Sequence, residues 1–135
     1  MKTLEVSANT QFAEKVMEFV ESELTNCNYP DELWSEIIIA VEEIFINIAT
    51  YAYNPEHNGN VKISVAVDKK VVIQFEDSGR PFNPLEADAP DLDGPIKERK
   101  IGGLGIHFVK NMMDDARYTY TDGKNILTII KDMVN

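Results

Sequence analysis

Apolar and polar positions alternate in two rhythms along this 135-residue chain, and the switches between them mark its elements. Lys2 to Ser7 alternates with a period of two, which predicts a short strand with Leu4 and Val6 facing inward. Asn9 or Thr10 then suits a helix N-cap, and Phe12, Val16, Phe19, Val20 and Leu24 follow at helical spacing. Asn26-Cys-Asn-Tyr-Pro30 ends that helix, because proline cannot continue the hydrogen-bond ladder. A second helix is expected from about Asp31 to Tyr53, stopped by Asn54-Pro-Glu-His-Asn-Gly59. The period returns to two over Asn60–Val67 and Lys70–Glu76, which read as a half-buried antiparallel hairpin across Asp68-Lys69. A third helix spans about Leu104 to Asp114, and Arg117–Thr121 with Asn125–Lys131 form a closing hairpin around Asp122-Gly123.

The stretch from Gly79 to Lys100 keeps neither rhythm. Its prolines and aspartates, with few large apolar residues, predict a loop of about twenty residues, far longer than usual connections and typical of lids or disordered segments. The element order β-α-α-β-β-loop-α-β-β predicts one α+β domain over residues 1–135. Its expected architecture is a two-layer sandwich, a mixed sheet with three helices on one face.

The second helix carries an unusual face. At about 100° per residue, Leu33, Ile37, Ile38, Val41, Ile44, Phe45, Ile48 and Ala52 cover a broad apolar arc. Glu36, Ala40, Glu43 and Asn47 fall on another face, with Ile39 and Ile46 just beyond and Glu42 turned well away. Carboxylates beside apolar neighbours are costly without a partner such as a metal, water or substrate. The helix alone leaves open a plainer arrangement, with both glutamates exposed and Ile39 and Ile46 against another subunit.

Two glycine turns add chemistry. Val71 to Asp77 delivers a carboxylate from a strand end onto Ser78-Gly79, where it can accept a hydrogen bond from an exocyclic amine but repels a carbonyl. In isolation this is also an ordinary Asp-Ser-Gly turn. Gly102-Gly-Leu-Gly105 precedes a helix whose first amides suit a phosphate, although a flexible hinge has the same composition. It is neither a P-loop nor a Rossmann fingerprint, since no Gly-Lys-Ser/Thr and no βαβ context accompany it. Arg99 and Lys100, just before it, suit either contact with the same anions or plain exposure as lid charges.

Composition narrows the classes. Thirteen Lys+Arg against 23 Asp+Glu leave a net charge of −10, which opposes nucleic-acid binding and serves solubility. No apolar run approaches the roughly 20 residues of a membrane helix, and the N-terminus lacks a signal-peptide core. The single cysteine, Cys27, allows no internal disulfide and has no base nearby in sequence, so the cytoplasm is the expected compartment. His57 and His107 are isolated, and no His/Cys cluster points to zinc.

The ordered set Glu43-x-x-x-Asn47, Asp77-x-Gly79-x-x-Phe82-Asn-Pro84 and Gly103-Leu-Gly105-Ile106 resembles the Bergerat (GHKL) ATP-binding fold. That fold is shared by gyrase, Hsp90 and histidine kinases. Over nearly its whole length the chain is most similar to the small anti-sigma factor serine/threonine-protein kinases of the RsbW/SpoIIAB-like group. The resemblance implies that Asn47 ligates Mg²⁺ on the phosphates of ATP, and that Glu43 takes the proton of an attacking serine hydroxyl. It implies that Asp77 binds the adenine amine and that Gly79 lets the base sit against the backbone. Gly102, Gly103, Leu104 and Gly105 would hold the nucleotide, with Gly103 and Gly105 cradling phosphates, and a lid would run over about 81–101. Thr128 would support the adenine through water. The implied protein partners are a sigma factor and a STAS-domain antagonist, with a homodimer as the assembly and no nucleic acid or membrane. Histidine kinases carry glycine where Pro81 stands, and no upstream helix with a phosphoacceptor histidine is present. Two other functions fit the same pocket, a non-catalytic ATP-binding switch and a detached histidine-kinase-type catalytic domain.

Overall fold

The structure, a computed structural model, describes residues 1–26, 34–53, 59–86 and 109–132. Strand β1 (Lys2–Ser7) is followed by a 3-10 turn at Thr10–Phe12, where the Asn9 side chain accepts the Gln11 N–H. Helix α1 (Ala13–Asn26) buries Val16, Val20 and Leu24, three residues of the expected stripe. Helix α2 (Trp34–Tyr51) begins, as described, three residues inside the expected start, and the positions before it lie outside the described residues. Strands β2 (Asn60–Val67) and β3 (Lys70–Asp77) form the first hairpin, β4 (Asp115–Thr121) and β5 (Lys124–Asp132) the second. Asp122 and Gly123 between β4 and β5 both have positive φ, 55° and 76°. That backbone twist matches the twist of the strands it joins, which is why an Asp-Gly pair makes the turn.

The five strands make one sheet in the order β1-β2-β3-β5-β4. Every pairing among the described residues is antiparallel, so the sheet is not mixed as expected. The reason lies in the connections. α1 and α2 run out and back between β1 and β2, returning the chain to the same end of the sheet, whereas a parallel neighbour needs a single crossover. β4 does share the direction of β3, but β5 inserts between them.

Alternation along each strand sends one set of side chains to the helices. Val61, Ile63, Val65, Val71, Ile73, Phe75, Leu127 and Ile129 are buried there against Ile37, Val41, Ile44, Phe45 and Ile48 of α2. Each large apolar side chain so enclosed contributes about 1.5–3 kcal/mol, and this layer fixes α2 across the sheet. Of the expected third helix, residues 109–112 are helical and Val109 and Met113 are buried in the same core; 104–108 lie outside the described residues. Lys131 ties this layer together at one end, donating to Glu36 Oε2 at 2.7 Å and to the Met112 carbonyl at 2.6 Å. Among the described residues no helix is long and apolar enough to cross a membrane.

Candidate functional site

Asn47 is the unusual residue of α2. It is 1% exposed, and neither its Oδ1 nor its Nδ2 has a hydrogen-bond partner among the described residues. An amide left so costs about 1–3 kcal/mol, so the position is poor for stability and well suited to a ligand. Its free oxygen is a hard donor of the type magnesium accepts, and the residue therefore fits the implied cation. Glu43 lies one turn earlier on the same face and is half-buried. Burial pushes its carboxyl above the ordinary carboxylate range. The nearby Asn47 amide opposes that shift without forming a well-aligned hydrogen bond, and Glu42 adds to it. A carboxyl held this way is a better proton acceptor than an exposed one.

The rest of the polar stripe divides. Ala40 is fully buried, Glu36 is taken by Lys131, Ile39 is 45% exposed and Ile46 is half-buried. Glu43 and Asn47 are thus the two polar groups of that face that no described ion pair or hydrogen bond consumes.

Asp77 ends β3 on the helix side of the sheet and is 4% exposed. Its Oδ1 accepts the Gly79 amide and the Asn125 Nδ2, each at 2.9 Å, while no described residue bonds its Oδ2. Burial raises its pKa, the bonds from Asn125 and Gly79 lower it, and Glu76 raises it again. Gly79 turns out to be required by packing: a Cβ there would lie 2.3 Å from the Ala52 carbonyl oxygen. The turn it permits docks onto the end of α2, with Arg80 N donating to Ala52 O at 2.9 Å and Arg80 Nε to Tyr51 O at 2.8 Å. Two orphan carbonyls of the helix terminus are satisfied in this way. Asn47 stands about 6 Å along the helix axis before Tyr51, so the clamp brings Asn47 and Asp77 to the same end of the molecule.

Phe82 leans on Tyr51 at 5.7 Å between ring centroids, and its amide donates to Asn125 Oδ1 at 2.9 Å. Pro84–Glu86 forms a 3-10 turn with Pro84 buried. The first residues of the expected lid are therefore packed onto the domain; the remainder of that segment, with Arg99, Lys100, Gly102, Gly103, Leu104 and Gly105, lies outside the described residues.

Thr128 is not brought to this cluster. It pairs with Gln74 and Arg117, and it stands three residues from Asn125 along β5. An odd spacing on a strand places two side chains on opposite faces, so Thr128 faces away from Asp77. Asn125 is the β5 residue paired in register with Asp77. Residue patterns alone miss Asn125 because only the β3–β5 register reveals it; the signal available was its position just after the Asp-Gly turn. A cavity of about 500 Å³ near this end is lined by Glu5, Tyr53, Lys62, Glu76 and Lys124, together with Asp77 and Ser78, but not by Glu43 or Asn47. Its Glu76 is already shared between Lys62 and Lys124 at 3.9 and 3.5 Å, so the unspent chemistry is on the helix face.

Comparison with known proteins agrees with this fold. The profile of the "Histidine kinase-like ATPase domain" family matches residues 6–131. A protein of Listeria monocytogenes named serine-protein kinase RsbW is 22% identical over 130 residues, covering 93% of this chain and 83% of its own. An Oceanobacillus iheyensis protein of the same name is 24% identical over 97 residues, covering 68% of this chain and 61% of its own. Among solved structures, one of the RsbU and RsbW domains of a Mycobacterium tuberculosis protein superposes with a TM-score of 0.64 at 15% identity, covering 98% of this chain. The chain spans 32% of that longer protein. The catalytic domain of the histidine kinase ThkA gives a TM-score of 0.54 at 13% identity, covering 98% of this chain and 97% of that one.

Proposed function

The chain belongs to the histidine kinase-like ATPase domain family, and from that premise we propose that it is an ATP-dependent protein-serine kinase acting as an anti-sigma factor. In this reading it phosphorylates a STAS-type antagonist and sequesters a sigma factor in a partner-switching module, as a cytoplasmic homodimer. The relatives named serine-protein kinase support the activity class. The observation that carries it is the pair on α2, an orphaned buried amide at Asn47 with a carboxyl of raised pKa at Glu43 one turn before.

Roles follow from the chemistry of each group. Asp77 Oδ2 accepts the exocyclic amine of adenine. Asn47 Oδ1 would hold magnesium, which would supply charge neutralisation on the phosphates. The partner's serine Oγ attacks the γ-phosphorus, the bond from that phosphorus to the ADP oxygen breaks, and the serine proton passes to Glu43. Positioning and charge neutralisation supply most of the rate in such transfers, and the base supplies a smaller factor of about 10²–10⁴. Gly102, Gly103, Leu104 and Gly105 complete the phosphate side, and about 81–101 closes over it.

Labelled ATP, magnesium and candidate STAS-domain and sigma-factor partners test the reading. The expected product is phosphoserine on the STAS partner. Nucleotide binding with no transfer to any partner identifies a non-catalytic switch, and an acid-labile phosphohistidine identifies a detached histidine-kinase domain. Glu43→Gln is expected to keep ATP affinity while slowing transfer by about 10²-fold or more. Transfer at the wild-type rate removes Glu43 from the role of base.

A further inference from the structure

Asn125 touches both the strand end that would read the base and the chain that leaves it. We propose that Asn125 is a positioning residue for base recognition: it fixes the Asp77 carboxylate through Oδ1, turns Oδ2 toward the exocyclic amine of the purine, and pins Phe82 in the same hydrogen-bonded unit. The inference rests on the nucleotide reading above and concerns a residue that reading does not use.

The bonding of this side chain is saturated. Its Nδ2 donates to Asp77 Oδ1 at 2.9 Å and to the Arg80 carbonyl at 2.8 Å, with a longer approach to Gly79 O at 3.5 Å. Its Oδ1 accepts the Phe82 amide at 2.9 Å and the Tyr118 hydroxyl. A primary amide offers two N–H groups and two lone pairs, and each has a partner here. Asn125 is 3% exposed, so these partners are not exchanged for water. Reversing the amide would set its oxygen against the Asp77 carboxylate and its N–H₂ against the Phe82 N–H. One orientation is therefore enforced, and with it the orientation of Asp77.

This arrangement has a consequence for selectivity. Holding Oδ1 with two donors leaves Oδ2 as the group that meets the ligand, an acceptor that suits a 6-amino purine and repels a 6-oxo purine. The Phe82 amide, bonded to the same Asn125 oxygen, and the Phe82 ring against Tyr51 place the start of the following segment by the same contacts. Loss of Asn125 therefore frees both.

The test is the ratio of ATP to inosine triphosphate affinity, measured by calorimetry on the full chain across mildly acidic to mildly alkaline pH. The two ligands carry the same phosphates, so phosphate titration cancels. Asn125→Ala is expected to lower the ratio by about tenfold, the scale of one hydrogen bond to a charged group. Asn125→Asp keeps the shape but loses both donors. Its ratio is low at neutral pH and rises as pH falls, because the introduced carboxyl gains a proton and again donates to Asp77. The other titratable groups facing Asp77 are Glu76 on its own strand, Tyr53 after α2 and Tyr118 on β4. Burial raises both tyrosines, so they stay neutral throughout. Tyr118→Phe, which keeps the ring, lowers the ratio a few-fold in the same direction. A merely structural role weakens both ligands alike; an unchanged ratio in these variants overturns the proposal while leaving ATP binding intact. Absence of ATP binding by the wild-type chain overturns the nucleotide reading itself, and this inference with it.

Discussion

Two polar residues of α2, Glu43 and Asn47, stand out in the chain itself before any contact is known. Asn47 is visible because helical spacing sets it beside Glu43 on a face flanked by isoleucines, and it is buried there with no hydrogen-bond partner among the described residues. Replacing it with an apolar residue of similar size removes the unpaired amide. Asn47→Leu is therefore expected to leave the ligand-free melting temperature unchanged or to raise stability by about 1 kcal/mol, while abolishing the stabilisation that magnesium and ATP give the wild type. Thermal melts with and without the nucleotide check both halves, and a large loss of ligand-free stability would show Asn47 to be structural. Glu43 has a pH signature of its own. The ionised carboxylate is the form that takes a proton, so transfer slows as pH falls through its raised pKa, and Glu43→Gln is expected to lose that limb of the rate profile. At Gly79 the neighbour that excludes a side chain is the Ala52 carbonyl, 2.3 Å from where a Cβ would stand.

At the scale of elements, period and turn chemistry were enough for type and approximate bounds. The β4–β5 hairpin shows why: Asp122 and Gly123 adopt the positive φ that their residue types favour, whatever the surroundings. A Cβ on Gly123 meets no atom within 4 Å, so Gly123→Ala isolates the backbone cost, expected at about 1–2 kcal/mol by urea denaturation. Register was not legible. Which residue of β5 stands opposite Asp77 depends on how two distant segments pair, and a shift of one residue exchanges the faces. Thr128 was implied by the family resemblance, yet the pairing of Asp77 with Asn125 puts it on the far side. Lys131 was missed for a related reason, since its partners Glu36 and Met112 come from elements remote in sequence.

For the whole molecule, the sheet order decides where chemistry can gather. Placing β5 between β3 and β4 sets Asn125 beside Asp77 and Tyr118, three contributions from three strands at one end of the sheet. The clamp of Gly79 and Arg80 on the last carbonyls of α2 has a further consequence, for unfolding. Because the strand end and the helix end hold each other, no piece of this chain keeps half of the pocket when the other half melts. Loss of nucleotide binding and loss of native circular dichroism are expected to follow one denaturation curve. Gly79→Ala, which drives a methyl to within 2.3 Å of the Ala52 oxygen, is expected to move both together by about 1–3 kcal/mol. Two separated curves would mean that the clamp does not join them. A single curve would make the capacity to bind a property this chain has only when it is whole.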